Sequence, residues 1–192
     1  VSIFVNPLQF GPGEDFERYP RQVEADIEAL SNRYPSGRGV DVVFVPGVDD
    51  VYPDGPSATA TISAGAMGEV LEGAIRPGHF DGVLTVVKRL FDLVGCDVAV
   101  FGKKDAQQLV LIEKMVRDHN LPVTIARGDI VRDTDALALS SRNIYLTPDQ
   151  RQQALVLSTQ LRHVATSVKP LEQLVEARAA ISQTVGVELG YL

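Results

Sequence analysis

The segment Asp97-Val98-Ala99-Val100-Phe101-Gly102-Lys103-Lys104-Asp105 passes from an apolar run to a charged turn within a few residues. The apolar run predicts a strand, which Gly102 ends. An amphipathic helix is predicted directly afterwards, from Asp105 to His119. A buried strand that leads straight into a helix is the unit from which parallel sheets with covering helices are built. This segment therefore predicts an α/β fold.

Strand-like runs and helical patterns alternate through the rest of the first two thirds of the chain. Further strands are predicted at 1–5, 40–45 and 121–126, and further helices at 19–34 and 83–94. The predicted strands lack polar alternation, which indicates burial on both faces of the sheet. Such sheets bind ligands beyond the carboxyl ends of their strands, so the residues after the first and third strands are candidate site residues.

The character of the sequence changes near Ile130, where we expect a domain boundary. Residues 1–130 then form the α/β domain, and residues 131–192 form a small second domain of α+β character. Two helices are predicted in it, at about 149–167 and 171–183. The first of them should begin with an N-cap, a first-turn proline and a capping box, formed by Thr147, Pro148 and Gln150.

The two ends of the chain predict that it is part of a longer protein. Val1 opens directly into a strand-like run, and Leu192 follows no capping or turn signal.

The composition is that of an ordinary globular protein, with 45% hydrophobic and 22% charged residues. The net charge of -7 argues against nucleic acid as a partner, because binding to a phosphate backbone needs a basic surface. No stretch approaches the roughly 20 apolar residues of a membrane span, and no signal peptide is recognisable, so we expect a cytoplasmic protein without membrane contact. The single cysteine, Cys96, excludes an internal disulfide, and its apolar surroundings in sequence predict a buried thiol.

The turn after the third predicted strand has the residues of a phosphate site. Gly102 lets the backbone approach a ligand closely, and Lys103 and Lys104 stand beside a helix N-terminus, where the dipole and the free N–H groups favour an anion. Asp105 can accept hydrogen bonds from ribose hydroxyls, and Gln108, one turn into the helix, can reach the same crevice. The alternative is an ordinary strand-to-helix turn with a capping aspartate and solvated lysines.

Two further polar segments are candidates of the same kind. In Leu139-Ser140-Ser141-Arg142-Asn143, two hydroxyls followed by an arginine can cradle phosphate oxygens, and the alternative is a polar loop before a helix. In Asn6-Pro7-Leu8-Gln9-Phe10, two amides stand where a buried strand ends, which is where a polar substrate would be held. The alternative there is a simple turn.

The positions of the histidines in the sequence do not predict a metal site. His79, in Arg76-Pro77-Gly78-His79-Phe80, is either a catalytic residue or one that orders a loop, and His119 and His163 receive no role. No cluster of His, Cys and Asp has metal-ligand spacing, so any metal would be Mg²⁺ carried with a nucleotide.

Several of these segments, in this order, resemble the pantothenate synthetase family, the pantoate–β-alanine ligases. The resemblance covers essentially the whole chain. The matching stretches are Ser2-Ile3-Phe4-Val5-Asn6-Pro7-Leu8-Gln9-Phe10, Tyr52-Pro53-Asp54-Gly55, Arg76-Pro77-Gly78-His79-Phe80-Asp81-Gly82-Val83, Phe101-Gly102-Lys103-Lys104-Asp105 with Gln107-Gln108, and Leu137-Ala138-Leu139-Ser140-Ser141-Arg142-Asn143.

The resemblance implies a Rossmann-like domain of the nucleotidylyltransferase type, a smaller C-terminal domain that closes over it, and a homodimer. It also implies a two-step reaction with ATP as a substrate. The pantoate carboxylate attacks the α-phosphate of ATP, and the amine of β-alanine then displaces AMP from pantoyl adenylate.

The resemblance also assigns roles to individual residues. Pantoate would be held by Gln9 and Gln108 and by the apolar wall of Val86 and Val87, and Gln9 would also lie close to β-alanine. ATP would be held by Gly102, Lys103, Lys104, Asp105, Val131, Leu139, Ser140, Ser141 and Arg142. Among these, Lys104, Ser140 and Arg142 would be catalytic.

The sequence departs from the family pattern in several places. The two-histidine nucleotide motif of the family lies upstream of the strand that begins here at Val1, so the chain lacks it. Lys103 replaces a usual acid, Ala106 an aromatic residue and Ala136 a glycine, and the connection from Asn32 to Gly39 is longer than usual.

Two other functions remain open from the sequence alone. One is a nucleotidyltransferase of the same superfamily, although the paired glutamines and the apolar pocket favour a small branched acid. The other is an inactive nucleotide-binding module, because the histidine motif is absent from the chain.

Overall fold

The structure is a computed structural model, and it describes residues 1–31 and 39–192. The described helices and strands are, in chain order, α1 (Val23–Ser31), α2 (Val48–Val51), α3 (Glu72–Ile75), α4 (His79–Val94), β1 (Val98–Gly102), α5 (Ala106–Asp118), β2 (Thr124–Gly128), α6 (Pro148–Thr166) and α7 (Pro170–Ser182). Short 3-10 turns lie at Pro7–Gln9, Pro56–Ala58, Gly65–Gly68, Lys103–Asp105 and Ser141–Tyr145.

The two strands confirm the α/β prediction. β1 and β2 are parallel, with Val98 opposite Thr124 and Gly102 opposite Gly128, and α5 forms the connection between them. A parallel pair needs such a crossover because both strands run in the same direction. The carboxyl end of β1 leads through the turn Lys103–Asp105 into α5, which begins within a residue of its predicted start.

The predicted strands at 1–5 and 40–45 are wrong as strands. The two segments meet in a single parallel bridge between Ser2 and Phe44, where the Ile3 N–H donates to the Phe44 carbonyl oxygen at 2.9 Å. An apolar cavity of about 330 Å³ lies between this bridge and β1. The two bridged segments therefore have no neighbouring strand on that side with which to form further backbone hydrogen bonds. An isolated pair of strands is only marginally stable.

Burial of β1 on both faces was also a wrong prediction. Val98 and Val100 keep 55% and 70% of their surface exposed, because only one face of the strand packs on the core. Cys96, expected to be buried, is half-buried and lines the apolar cavity.

The core is organised around α4, which begins four residues earlier than predicted. Gly78 precedes it with φ 80, a left-handed conformation that favours glycine. Most residues of α4 between Phe80 and Val87 are buried, and the helix packs against the turn Pro7–Gln9, α5 and α2. The buried cluster comprises Val51, Tyr52, Ala64, Phe80, Val83, Leu84, Val86, Val87, Leu111, Ile112 and Met115.

The C-terminal helices match their predictions closely. The Thr147 hydroxyl accepts from the Gln150 backbone N–H at 3.3 Å, and the Gln150 side chain accepts from the Thr147 N–H at 3.0 Å, which completes the predicted capping box. α6 and α7 pack against each other, with Ala177 and Ile181 buried.

The helix predicted at 19–34 begins later than expected, since α1 starts at Val23. Residues 32–38 lie outside the described residues, and with them the predicted end of this helix and the connection expected there to be long. Through the described ranges, no helix is both long enough and apolar enough to cross a membrane.

Ala136 adopts a left-handed backbone with φ 74, at the position where the family pattern has glycine. A side chain in this conformation places Cβ close to the following carbonyl group. Ala136→Gly should therefore raise the free energy of unfolding by about 1 kcal/mol in urea titrations. The control is Ala138→Gly, whose φ is not positive, and which should lower that free energy. Equal losses in both variants would contradict the strain at Ala136.

Candidate functional site

The lysine turn after β1 separates its two cations. The Lys103 ammonium donates to Asp129 Oδ1 at 2.5 Å, on the side of β2. Lys104 instead lines a cleft of about 430 Å³ at the N-terminus of α5, where its ammonium lies 3.1 Å from Asp105 Oδ1. Asp105 stands at the N-cap position of α5 without a side-chain capping bond, so the alternative of a capping aspartate is not realised.

The two glutamines in the first turn of α5 have different roles. The Gln107 amide donates to the Met67 and Val70 carbonyl oxygens at 2.9 and 2.8 Å, and its oxygen accepts from the Glu72 N–H. This holds the loop that forms one wall of the cleft. Gln108 lines the cleft, and its side chain makes no hydrogen bond with the residues that the structure describes. Its amide is thus available to a ligand.

Arg142 reaches the same cleft from the serine loop, 34 residues beyond Gln108 in the chain. Its Nε and Nη2 donate to the two carboxylate oxygens of Asp15, each at 2.8 Å. The guanidinium also lies over the rings of Phe10 and Tyr19, at 5.8 and 5.1 Å from their centroids. Hydrogen bonds from Arg142 hold the pKa of Asp15 below its ordinary value. Within 1–31 and 39–192, Arg142 Nη1 has no acceptor and is free to bind a ligand oxygen.

The serine loop itself is ordered mainly through its backbone. The Ser140 hydroxyl accepts from the Arg142 N–H at 3.3 Å and caps the turn Ser141–Tyr145. The Leu139 N–H donates to the Val131 carbonyl oxygen at 3.0 Å, so these two predicted residues lie side by side. Ser141 borders a different cavity, beside Phe16 and Tyr19. The structure therefore brings Arg142, but not Ser141, to the lysine cleft.

Gln9 lies in an adjoining cleft of about 450 Å³, which shares Arg76 and His79 with the first. Its turn, Pro7–Gln9, packs directly on the start of α4. The Gln9 carbonyl oxygen faces Arg76 Nη2 at 3.3 Å and His79 Nδ1 at 2.8 Å. The two glutamines predicted to bind the acid thus lie on either side of an Arg–His ridge.

Arg76 is the residue at this site that sequence reasoning missed. Its Nε and Nη2 donate to the two carboxylate oxygens of Glu14, at 2.9 and 2.5 Å, and its Nη1 lies 3.5 Å from Glu72. Hydrogen bonds with Arg76 hold the pKa of Glu14 below its ordinary value and raise the pKa of the guanidinium. Arg76 is visible in the quoted motif, but its partner stands 62 positions earlier, and no local pattern marks the pair.

His79 orders a loop, which is the second of the two roles considered for it. Arg76 Nη1, which can only donate, lies 3.2 Å from His79 Nε2, so this nitrogen accepts and Nδ1–H donates to the Gln9 carbonyl oxygen. Burial lowers the pKa of His79 below 6.5, against the smaller opposing effect of the Gln9 carbonyl. The ring is therefore neutral, with both nitrogens engaged, and is not placed to act as an acid or base.

Val86 and Val87, the predicted apolar wall for pantoate, lie in the core. They keep only 6% and 7% of their surface, and neither is among the described residues that line the two clefts. Val87 borders the apolar cavity beside β1 instead. In this structure these two side chains do not reach the lysine cleft. Their contact with pantoate stays a prediction.

The two described ranges offer no metal site made by the protein alone. No group of three or more His, Cys, Asp and Glu side chains there is arranged to hold an ion. The nearest carboxylates to the cleft cations are engaged with Lys104, Arg76 and Arg142.

The neutral state of His79 makes a prediction about stability and pH. Because its folded pKa lies below 6.5, the unfolded chain binds more protons below that pH, and stability falls as the pH is lowered. In His79→Asn, which keeps a donor for the Gln9 carbonyl, the free energy of unfolding should fall less steeply between pH 7 and about pH 5. The control His163→Asn, on the exposed face of α6, should keep the wild-type slope. Parallel curves for wild type and His79→Asn would show that His79 titrates normally.

The sequence of the chain matches one protein family. A sequence model described as pantoate-beta-alanine ligase matches residues 1–191. The chain is 52% identical, over all of its length, to a pantothenate synthetase of Nocardioides sp. (strain ATCC BAA-499 / JS614). It covers 56% of that relative and 62% of one from Acidothermus cellulolyticus, so it spans less than two thirds of these curated relatives.

Solved structures agree with the sequence match. The crystal structure of pantothenate synthetase from Thermus thermophilus superposes with a TM-score of 0.85 at 45% identity, covering 96% of this chain and 66% of that one. A pantoate-beta-alanine ligase from Francisella tularensis, complexed with beta-gamma ATP and beta-alanine, superposes with a TM-score of 0.76 at 35% identity, covering 93% of this chain and 66% of that one. The chain belongs to the pantoate–β-alanine ligase family.

Proposed function

We propose that the intact protein joins pantoate to β-alanine with ATP as the second substrate, giving pantothenate, AMP and pyrophosphate. The observation that carries the proposal is the cleft at the N-terminus of α5, which collects Lys104, Asp105, Gln108 and Arg142 from two distant segments. Cations and free helix N–H groups suit phosphates, and the glutamine suits a small acid. The complex of the Francisella tularensis ligase with beta-gamma ATP and beta-alanine supports the same assignment.

The first step forms pantoyl adenylate. A carboxylate oxygen of pantoate bonds to the α-phosphorus of ATP, and the bond from that phosphorus to the bridging oxygen of pyrophosphate breaks. Lys104 and Arg142 Nη1 donate to the phosphate oxygens as charge develops on them, which lowers the barrier more than it strengthens binding. Ser140 holds the backbone of the serine loop so that Arg142 faces the cleft.

The second step transfers the pantoyl group. The uncharged amine of β-alanine bonds to the carbonyl carbon of the adenylate, the bond to the AMP oxygen breaks, and the amine proton is released. Gln9 and Gln108 hold the pantoyl part from two sides, and Asp105 accepts hydrogen bonds from the ribose. The remaining assignments follow the family pattern: Gly102, Lys103, Val131, Leu139 and Ser141 toward ATP, Val86 and Val87 toward pantoate, and Gln9 toward β-alanine.

The surroundings of the reaction belong to the same proposal. Mg²⁺ would enter with the ATP phosphates, since the described residues offer no ligand set of their own. We further propose a Rossmann-like domain up to about residue 130 with the rest of the chain as a closing domain, a homodimer, and a cytoplasmic location.

A pyrophosphate-release assay on the intact protein tests the function directly. With ATP and pantoate we expect release limited to one equivalent per site, and with β-alanine also present we expect continuous turnover. Continuous release with pyridine mononucleotide in place of pantoate would instead indicate a nucleotidyltransferase. No release with either substrate, despite ATP binding, would indicate a nucleotide-binding module.

The diverging lysines provide a matched pair of variants. Lys104→Ala should slow single-turnover adenylation by about a hundredfold or more, because a cation that meets the developing charge is lost. Lys103→Ala should have only a modest effect, because its ammonium is engaged by Asp129 on the far side of the turn. Quench-flow measurement of pantoyl adenylate compares the two. A larger loss in Lys103→Ala would overturn the phosphate assignment of Lys104.

A further inference from the structure

Tyr52 opens the Tyr52-Pro53-Asp54-Gly55 motif, to which the proposed function gives no task. Its side chain is fully buried, at 0% exposure, and its ring packs on Phe4 with the centroids 6.3 Å apart. The hydroxyl lies 2.7 Å from Asn6 Oδ1. Tyr52 therefore does more than occupy space in the core. Its buried hydroxyl bonds a buried amide beside a cleft, and such a bond fixes the direction in which neighbouring donors and acceptors point.

Asn6, itself only 2% exposed, has a single possible amide orientation. Its Nδ2 lies 3.0 Å from the Gly82 carbonyl oxygen, which can only accept, and its Oδ1 lies 3.3 Å from the Leu8 N–H, which can only donate. The Tyr52 hydroxyl must therefore be the donor to Oδ1. The same orientation turns Asn6 Nδ2 toward Gln9 Oε1 at 3.3 Å.

The amide of Gln9 is oriented in turn. Because Asn6 donates to Gln9 Oε1, the oxygen end of that amide is turned toward Asn6, which leaves the Nε2 end for the cleft that Gln9 lines. Nε2 has no hydrogen-bond acceptor within the two described ranges, while the Gln9 carbonyl oxygen is held by Arg76 and His79. Gln9 thus presents N–H donors, not an acceptor, to whatever binds there.

We infer that Tyr52 is a positioning residue which, through Asn6, sets the amide orientation of Gln9 so that the site selects an acceptor oxygen of the small acid substrate. The inference rests on the proposed function, because it takes pantoate as the molecule that Gln9 contacts. Burial raises the pKa of Tyr52 to about 12, so the hydroxyl keeps the proton that it donates. The oxygen recognised is a carboxylate or hydroxyl oxygen of the acid.

The variant Tyr52→Phe in the intact protein removes the hydroxyl and keeps the ring. Asn6 Oδ1 then retains only the longer bond from the Leu8 N–H, so both amides gain freedom to rotate. We expect KM for pantoate to rise about tenfold, as for the loss of one oriented hydrogen bond. KM for ATP and kcat should stay within about twofold, because Lys104 and Arg142 are untouched.

A double-mutant cycle separates positioning from a general structural effect. If Tyr52 acts through Gln9, adding Tyr52→Phe to Gln9→Ala should raise KM for pantoate no further. Phe4→Leu, which disturbs the packing on the Tyr52 ring and keeps the hydroxyl, should leave KM for pantoate near wild type. Additive effects in the cycle, or an equal rise in Phe4→Leu, would overturn the inference.

The wild-type protein distinguishes this inference from the function on which it rests. If wild type releases pyrophosphate with pantoate and Gln9→Ala impairs it, an unaltered Tyr52→Phe refutes only the role of Tyr52. If wild type does not use pantoate at all, the proposed function fails and the inference fails with it.

Discussion

The close approach of α4 to the turn Pro7–Gln9 is the constraint on which the site depends. Gly82 faces this turn, and a Cβ there would collide with the Leu8 carbonyl oxygen and lie 2.9 Å from Gln9 Cα. The missing side chain lets Asn6 donate to the Gly82 carbonyl oxygen and lets His79 reach the Gln9 carbonyl oxygen. One contact between two backbones therefore places Gln9, its orienting amide and the ridge between the two clefts.

Among the described residues, each of the cations that line the two clefts is paired with a carboxylate. Arg142 is held by Asp15, Arg76 by Glu14 and Lys104 by Asp105. The Arg142–Asp15 pair, together with the Tyr145 hydroxyl on the Arg18 carbonyl oxygen, joins the serine loop to the loop after Gln9. In the proposed reaction, a phosphate oxygen that binds Arg142 would either compete with Asp15 or use Nη1, so nucleotide binding would affect the order of both loops.

Local patterns predicted what depends on local interactions. The capping box at Thr147 and the helices α5 to α7 follow from residues a few positions apart. The predictions of strands at 1–5 and 40–45 were wrong because a strand forms only by hydrogen bonding to neighbouring strands. Beside the bridge Ser2–Phe44, a cavity occupies the position of such a neighbour. Arg76–Glu14, Tyr52–Asn6 and Arg142–Asp15 join positions 62, 46 and 127 apart, so no spacing rule could pair them. The resemblance to a family identified the motifs, but only the fold shows that Asn6 is buried while Gln9 lines a cleft.

In the proposed reaction, the cleft activates a carboxylate by joining it to the α-phosphate of ATP. The most direct measurement follows the oxygen atoms, using pantoate labelled with ¹⁸O in its carboxylate and mass spectrometry of the products of the intact protein. Because the adenylate breaks between the carbonyl carbon and the AMP oxygen, one labelled oxygen should appear in each AMP formed, and pyrophosphate should carry none. Label in inorganic phosphate, or unlabelled AMP accompanying labelled pantothenate, would contradict the account.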